Sequence, residues 1–276
     1  PYAVYHWVMM NIFDTLVWRG TDGTFYPGLA DSWEINEDGT VYTFKLKQGV
    51  TFHDGTPFDA EAVKFAFDHI VDPETRSGFA SSLLGPYDHT EVIDEFTAAV
   101  HFSASYAPFL DSASQAFLAI PSPTAVQADR EAFLRNPVGT GFMKFVEWVP
   151  NSHITLTRND DYDWASPVFA HTGPVYLDKI TFRFYLDNST RLAALEAGDA
   201  NLVQGPLLNE IPRVNESSDF STNVPMNPGL PSVAFCDTTK APTDDLAVRQ
   251  ALNIALDREL IVQIGMFGQA LPAYGP

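Results

Sequence analysis

The side chains that could do chemistry are numerous but scattered. None of the seven histidines forms a His-Glu-x-x-His motif or a closely spaced pair on one helix face. That spacing is what lets two imidazoles grip zinc while a glutamate serves as base. Carboxylates abound, yet nothing in the sequence converges two of them across a scissile bond, as glycoside hydrolysis requires. Asp160, Asp161 and Asp163 resemble the opening of a calcium loop, but the expected glycine and closing glutamate do not follow. Gly139-Thr140-Gly141 has the glycines of a phosphate cradle without the Lys-Ser/Thr and helix that would complete it. It reads instead as chain crossing back between subdomains. Neither a G-x-S-x-G elbow nor a Walker loop is present. Cys236 stands alone, which excludes a disulfide within the chain and a cysteine-based zinc site. Next to Val233–Phe235 it reads as a small buried hydrophobe. An enzyme is left with no motif to support it.

A chain of 276 residues with 45% hydrophobic content can bury at least one sizeable core and suits one or two domains. Sixteen basic against 35 acidic residues give a net charge of −19, which repels phosphate backbones and argues against nucleic acid as a partner. No apolar run reaches the roughly 18 residues that a membrane-spanning helix needs. No leader peptide is recognisable, because Pro1 begins inside folded-looking sequence.

The stretch Leu29–Val63 organises the rest. Trp33 and Ile35 alternate with polar neighbours, and Tyr42, Phe44 and Leu46 alternate with Val41, Thr43 and Lys45. Alternation marks half-buried strands. Glu37-Asp38-Gly39 supplies the turn between them. A second turn, Asp54-Gly55-Thr56-Pro57, leads to Asp59 as helix cap, then Val63, Ala66, Phe67 and Ile70 at helical spacing until Asp72-Pro73.

This text, "LADSWEINEDGTVYTFKLKQGVTFHDGTPFDAEAV", resembles family 5 extracellular solute-binding proteins, the peptide, nickel and opine receptors of ABC importers. Three further phrases follow in family order: "NPVGTGFMKFVEW" from Asn136, "STRLAALEAGDANLV" from Ser189, and "KAPTDDLAVRQALNIALDRELIV" from Lys240. Phe142-Met143 departs from the family's usual Pro-aromatic pair. "RNDDYDW" at Arg158–Trp164 is similar to a family loop, and His53 lies in the family's own "FHDG" turn, where a structural role is implied.

The remaining elements are read from pattern. Tyr2–Trp7 looks extended, Met9–Val17 helix or strand, and Ser81–Tyr87 loop. Glu91–Ile93 and Thr97–Phe102 flank a hairpin turn, Ala125–Leu134 is a short helix, and Ile154–Arg158 and Lys179–Leu186 are strands. Ser189 caps a helix ended by Gly198, and Asp199–Gln204 reads as a second, parallel strand of a βαβ unit. Leu230–Phe235 reads as strand, followed by helices over 244–256 and 258–266.

The fold class expected is α/β and periplasmic-binding-protein-like, of class II with an extra subdomain: a mixed sheet plus a small α+β lobe, cut before a third domain is complete. Residues 1–13 and 137–232 form the sheet domain, 14–136 an inserted subdomain, and 233–276 the start of the third domain; the chain reads as an internal fragment of one module. The resemblance implies a receptor, not an enzyme, that captures peptide or a similar solute outside the cytoplasmic membrane. It would be free in the periplasm or lipid-anchored, monomeric, and would hand its solute to membrane permease subunits by hinged closure. The competing class is a secreted hydrolase of peptides or glycosides. No metal or cofactor is expected. Ligand contacts are expected from Tyr2, Ala3, Val4 and Tyr5 as an extended edge pairing with peptide backbone, from Gln204 and Gly205 at a strand's carboxyl end, and from Leu230, Pro231, Ser232 and Val233 at the hinge.

Overall fold

The computed structural model describes residues 2–205, 208–223 and 234–274, the first four of them by backbone alone. The chain divides into two compact units, Pro1–Phe184 and Tyr185–Pro276. The first unit opens with helix α1 (Tyr2–Ile12), followed by the short strands β1 (Val17–Arg19) and β2 (Phe25–Pro27). Then come β3 (Ala30–Ile35), β4 (Val41–Leu46), α2 (Ala60–Val71), α3 (Gly78–Leu84), β5 (Tyr87–Asp94) and β6 (Thr97–Phe102). Short helices α4 (Phe109–Ala113), α5 (Pro123–Ala128) and α6 (Arg130–Phe133) precede β7 (Met143–Val149), β8 (His153–Arg158) and β9 (Lys179–Arg183). The second unit contributes α7 (Asn188–Glu196), α8 (Ile211–Glu216), α9 (Leu246–Ala255) and α10 (Arg258–Gly265).

The strands make a β1–β2 ribbon, a four-stranded sheet in the order β3-β4-β6-β5, and a three-stranded sheet β7-β8-β9. The two larger sheets share no strand. The hairpin expected at Glu37–Gly39 forms, with Gly39 at φ +70, where a Cβ would be strained. Along β4, Tyr42, Phe44 and Leu46 are buried, as their alternation requires. Ile35 departs from that pattern and is exposed, because β3 is an edge strand whose register shifts between Ala30 and Ser32. Helix α2 begins where expected: the Asp59 carboxylate accepts from the Ala62 amide, and Ala62, Val63, Ala66, Phe67 and Ile70 face inward.

The four-stranded sheet and α2 enclose the larger core. Phe109 sits at its centre, with ring centroids 5.0 Å from Tyr42, 4.7 Å from Phe102 and 6.0 Å from both Phe44 and Phe67. These are mostly edge-to-face contacts, the arrangement that the ring quadrupoles favour. A smaller core joins Val8, Ile12 and Phe13 of α1 and its exit to Met143 and Leu156 of the three-stranded sheet.

Tyr2–Trp7 is helix, not extended chain. A short apolar run carries no decisive period, and a helix satisfies its backbone groups within itself. Ser81–Leu84 belongs to α3 rather than a loop, and the helix expected over Ala125–Leu134 is broken at Asp129, whose φ of −162 is extended. Asp187, not Ser189, caps α7; its carboxylate accepts from both the Ser189 and Thr190 amides. Asp199–Gln204 is not a strand, and every registered pairing is antiparallel. The parallel strand expected after α7 therefore does not form, and bends take its place. Cys236 is exposed, not buried, since Ala234–Asp237 forms neither strand nor helix and Phe235 beside it is 90% exposed.

Candidate functional site

The described part of the molecule has one fully buried carboxylate, and three of the sequence phrases meet on it. Asp14 follows α1 at the end of an apolar turn and is 2% exposed. Its Oδ2 accepts from Thr140 Oγ1 and from Trp164 Nε1, each at 3.1 Å, and its Oδ1 accepts from Tyr162 OH at 3.3 Å. Thr140 comes from the glycine-containing return after Pro137; Tyr162 and Trp164 come from the loop that follows β8. The Trp164 indole N–H also reaches the Thr140 carbonyl, and Lys47 Nζ donates to the Trp164 carbonyl at 3.0 Å.

The glycines of the return are explained by close approach. The Gly141 amide donates to the Ile12 carbonyl at 2.8 Å. A Cβ at Gly139 would lie 2.3 Å from the Ile12 oxygen, and one at Gly141 2.5 Å from the Asn11 oxygen. These glycines let two backbones touch; they do not cradle phosphate. His53 seals the same place. Its amide donates to the Gly139 carbonyl and its Nε2 to the Gly141 carbonyl, both at 2.8 Å, while Asn159 Nδ2 reaches that second carbonyl at 3.1 Å. Nδ1 of His53 is buried with no partner. Nε2 must carry the ring proton to donate, so Nδ1 is a bare acceptor.

Electrostatics follow from burial. Loss of solvent pushes the Asp14 carboxyl up to about 6, and the three donors and the Lys47 charge only partly offset it. Burial raises the Tyr162 hydroxyl, helped by the neighbouring Asp14 charge. Burial likewise lowers His53 to about 4, so the ring is neutral in neutral solution. Asp14 has donors on both oxygens and no water-facing side, so its geometry is that of a clamp between chain segments. Sequence reasoning passed over Asp14; the signal was a carboxylate set between Phe13 and Leu16 in an apolar run, where charge is rare unless paired.

The residues expected to bind ligand fall in the first unit, in the second unit and outside the described residues. Tyr2, Ala3, Val4 and Tyr5 form the first turn of α1, so they offer no extended edge. Gln204 and Gly205 lie in a bend of the second unit; the Gln204 carbonyl accepts from Arg191 Nη1 at 2.7 Å, and Gly205 has φ +63. Leu230, Pro231, Ser232 and Val233 lie outside the described residues. A groove of about 660 Å³ beside α2 and α5, lined by Phe65, Asp68, His69 and Gln127 among others, contains none of the expected ligand residues. Among the described residues no group of three His, Cys, Asp or Glu side chains is arranged to hold a metal, and no helix is long and apolar enough to cross a membrane.

Set beside known structures, this architecture is that of the periplasmic binding proteins. The dipeptide binding protein of Pseudoalteromonas sp. SM9913, solved with Met-Leu, superposes with a TM-score of 0.79 at 22% identity, covering 96% of this chain and 55% of that one. DppA of Helicobacter pylori, an ABC transporter-associated periplasmic binding protein solved with the peptide STSA, superposes with a TM-score of 0.75 at 30% identity, covering 94% and 53%. The particular family follows from sequence. Residues 24–276 match the family described as bacterial extracellular solute-binding proteins, family 5 Middle, and the chain belongs to that family. The glutathione-binding protein GsiB of Pectobacterium atrosepticum is 33% identical over 248 residues, spanning 90% of this chain and 46% of the relative. The nickel-binding periplasmic protein of Escherichia coli is 30% identical over 268 residues, spanning 93% and 48%. The chain thus spans about half the length of the curated relatives it matches.

Proposed function

We propose that this chain is part of the substrate-binding receptor of an ABC importer. The receptor captures a peptide or similar small solute outside the cytoplasmic membrane and passes it to permease subunits. The observation that carries this reading is the family match over residues 24–276. The named cargoes of its relatives, glutathione and nickel, and the peptides in the related structures support a small-solute cargo without choosing among them. The receptor acts as a binder, in the periplasm or tethered to the membrane's outer face. Solute shifts an existing balance between open and closed lobes, with residues 14–136 as an inserted subdomain and 233–276 as the start of the next domain.

In this reading the solute contacts Tyr2–Tyr5, Gln204–Gly205 and Leu230–Val233. The test is calorimetric titration of the full-length protein with a pool of di- to pentapeptides, alongside nickel salts and glutathione. Stoichiometric heat without product supports the receptor; turnover of any pool member favours a hydrolase and overturns it. Gln204→Ala and the Tyr2→Ala/Tyr5→Ala pair are each expected to weaken binding. Parent-like affinity in both removes these residues from the cleft.

A further inference from the structure

The outer face of the four-stranded sheet carries a pair of histidines that the sequence separates by twelve positions and the fold sets side by side. His89 on the edge strand β5 lies directly opposite His101 on β6. Directly opposed side chains on antiparallel strands start from Cβ atoms about 5 Å apart. The two imidazoles stack with centroids 4.4 Å apart and planes 8° from parallel. Each ring has its own carboxylate. Asp88 Oδ2 lies 2.8 Å from His89 Nδ1, and Glu91 Oε2 lies 3.3 Å from His101 Nε2. Glu91 is two residues beyond His89 on the same strand, so both side chains share one face. The three side chains are 52%, 58% and 26% exposed for His89, Glu91 and His101.

We propose that His89 and His101, with Glu91, bind a divalent transition-metal ion of the copper, nickel and zinc group. Two imidazoles and one carboxylate suit these ions better than magnesium or calcium, which prefer all-oxygen shells. Nδ1 of His89 must carry the proton to bond Asp88, so Nε2 keeps an exposed lone pair in its ligating form. A carboxylate behind a histidine in this way fixes the tautomer and strengthens the donor. The side chains do not yet stand in ligand geometry, which accords with no three such groups doing so among the described residues. Stacked rings have parallel lone pairs. Asp88 keeps the His89 ring in place with Nε2 exposed, while rotation about the Cβ–Cγ bond of His101, a soft torsion in histidine, turns one of its nitrogens toward that lone pair and Glu91 leaves His101 to become the third ligand. The sheet backbone need not move. With 35 acidic against 16 basic residues, the surrounding field also favours a cation.

The test uses Cu²⁺ and Zn²⁺ with the intact chain. Substoichiometric Cu²⁺ is expected to broaden the ring proton signals of His89 and His101 before those of the other five histidines. Zn²⁺ calorimetry is expected to show one site that His89→Ala and His101→Ala each weaken roughly tenfold or more, and that Glu91→Gln weakens less. His153, which meets Glu147 at 3.3 Å across β7 and β8, provides the control, and His153→Ala is expected to change nothing. His101→Gln, which keeps a polar side chain on the sheet, guards against a variant that fails to fold. The proposal is overturned if broadening is not selective in the parent, or if Zn²⁺ affinity is unchanged in folded His89→Ala and His101→Gln.

Discussion

Helices α2 and α9 are built on the same plan and meet opposite fates. Each starts from an aspartate cap, Asp59 bonding the Ala62 amide and Asp245 the Ala247 amide, and each carries an apolar stripe at helical spacing. In α2 the stripe is covered: Val63, Ala66 and Phe67 are almost wholly buried beneath β5 and β6. In α9 no residue is buried, and α10 is the same; Ile254 is 83% exposed and Ile264 67%. Amphipathic spacing therefore specifies that a face wants covering and says nothing about what covers it. The stability that packing contributes belongs to the pair of surfaces, not to the helix.

Core truncation separates the two helices most. Phe67→Ala is expected to cost about 3–5 kcal/mol in urea unfolding, since it leaves a cavity against Phe109 and Tyr87. All five tryptophans, residues 7, 18, 33, 148 and 164, lie in the first unit, so their fluorescence reports that unit alone. A loss near zero would mean that α2 is no better covered than α9.

Burial also acts on charge. With its native value raised to about 6 from an ordinary 3.8, Asp14 keeps a proton in the folded state that the unfolded chain releases. Its contribution is therefore most favourable below about pH 4 and is lost as pH rises toward and through 6, a swing of about 3 kcal/mol. Asp14→Asn keeps the shape and removes the titration. Urea midpoints at pH 4, 5, 6 and 7 are expected to show the variant gaining on the parent as pH rises; parallel curves would show that Asp14 does not titrate in this window.

A smaller effect separates the two caps. Asp59→Ala is expected to lower the stability of the first unit by about 1 kcal/mol. Asp245→Ala is expected to reduce helical circular dichroism while leaving tryptophan unfolding unchanged. Smallest is Ile264→Ala, expected within about 0.5 kcal/mol of the parent because little contact is removed. Hydrogen exchange gives the same contrast without mutation: amides over 244–266 exchange before those of α2, and equal protection would show that α9 and α10 have cover.

What could be read from the sequence follows the same division. The β3–β4 hairpin, α2 and the strands around Ile154 and Ile180 were legible because their periods are long and their turns carry Gly39, Gly55 or Asp59. Helix α1 and α3 were not, because short apolar or Ser-rich runs fit helix, strand or loop equally well until a neighbour decides. The strand expected at 199–204 failed for a related reason: alternation invites pairing but cannot supply the partner. Asp14 was hidden because its donors lie 126 to 150 positions away in sequence. His89 and His101 were hidden because a cross-strand pair has no fixed spacing; only the register of β5 on β6 reveals it.

The contact between Gly141 and Ile12 has a consequence for chain growth. It draws a noose: everything between these residues, including the whole four-stranded sheet, is one loop with a backbone bond across its neck. Closing a loop costs free energy that rises only with the logarithm of its length, about 0.6 kcal/mol for each doubling. Insertions inside the noose, at exposed turns such as Glu37–Gly39, are thus thermodynamically cheap, whereas a single methyl group at the knot, on Gly139 or Gly141, meets backbone that has nowhere to go. The length of what the noose encloses is free to drift over generations; the two glycines that tie it are not.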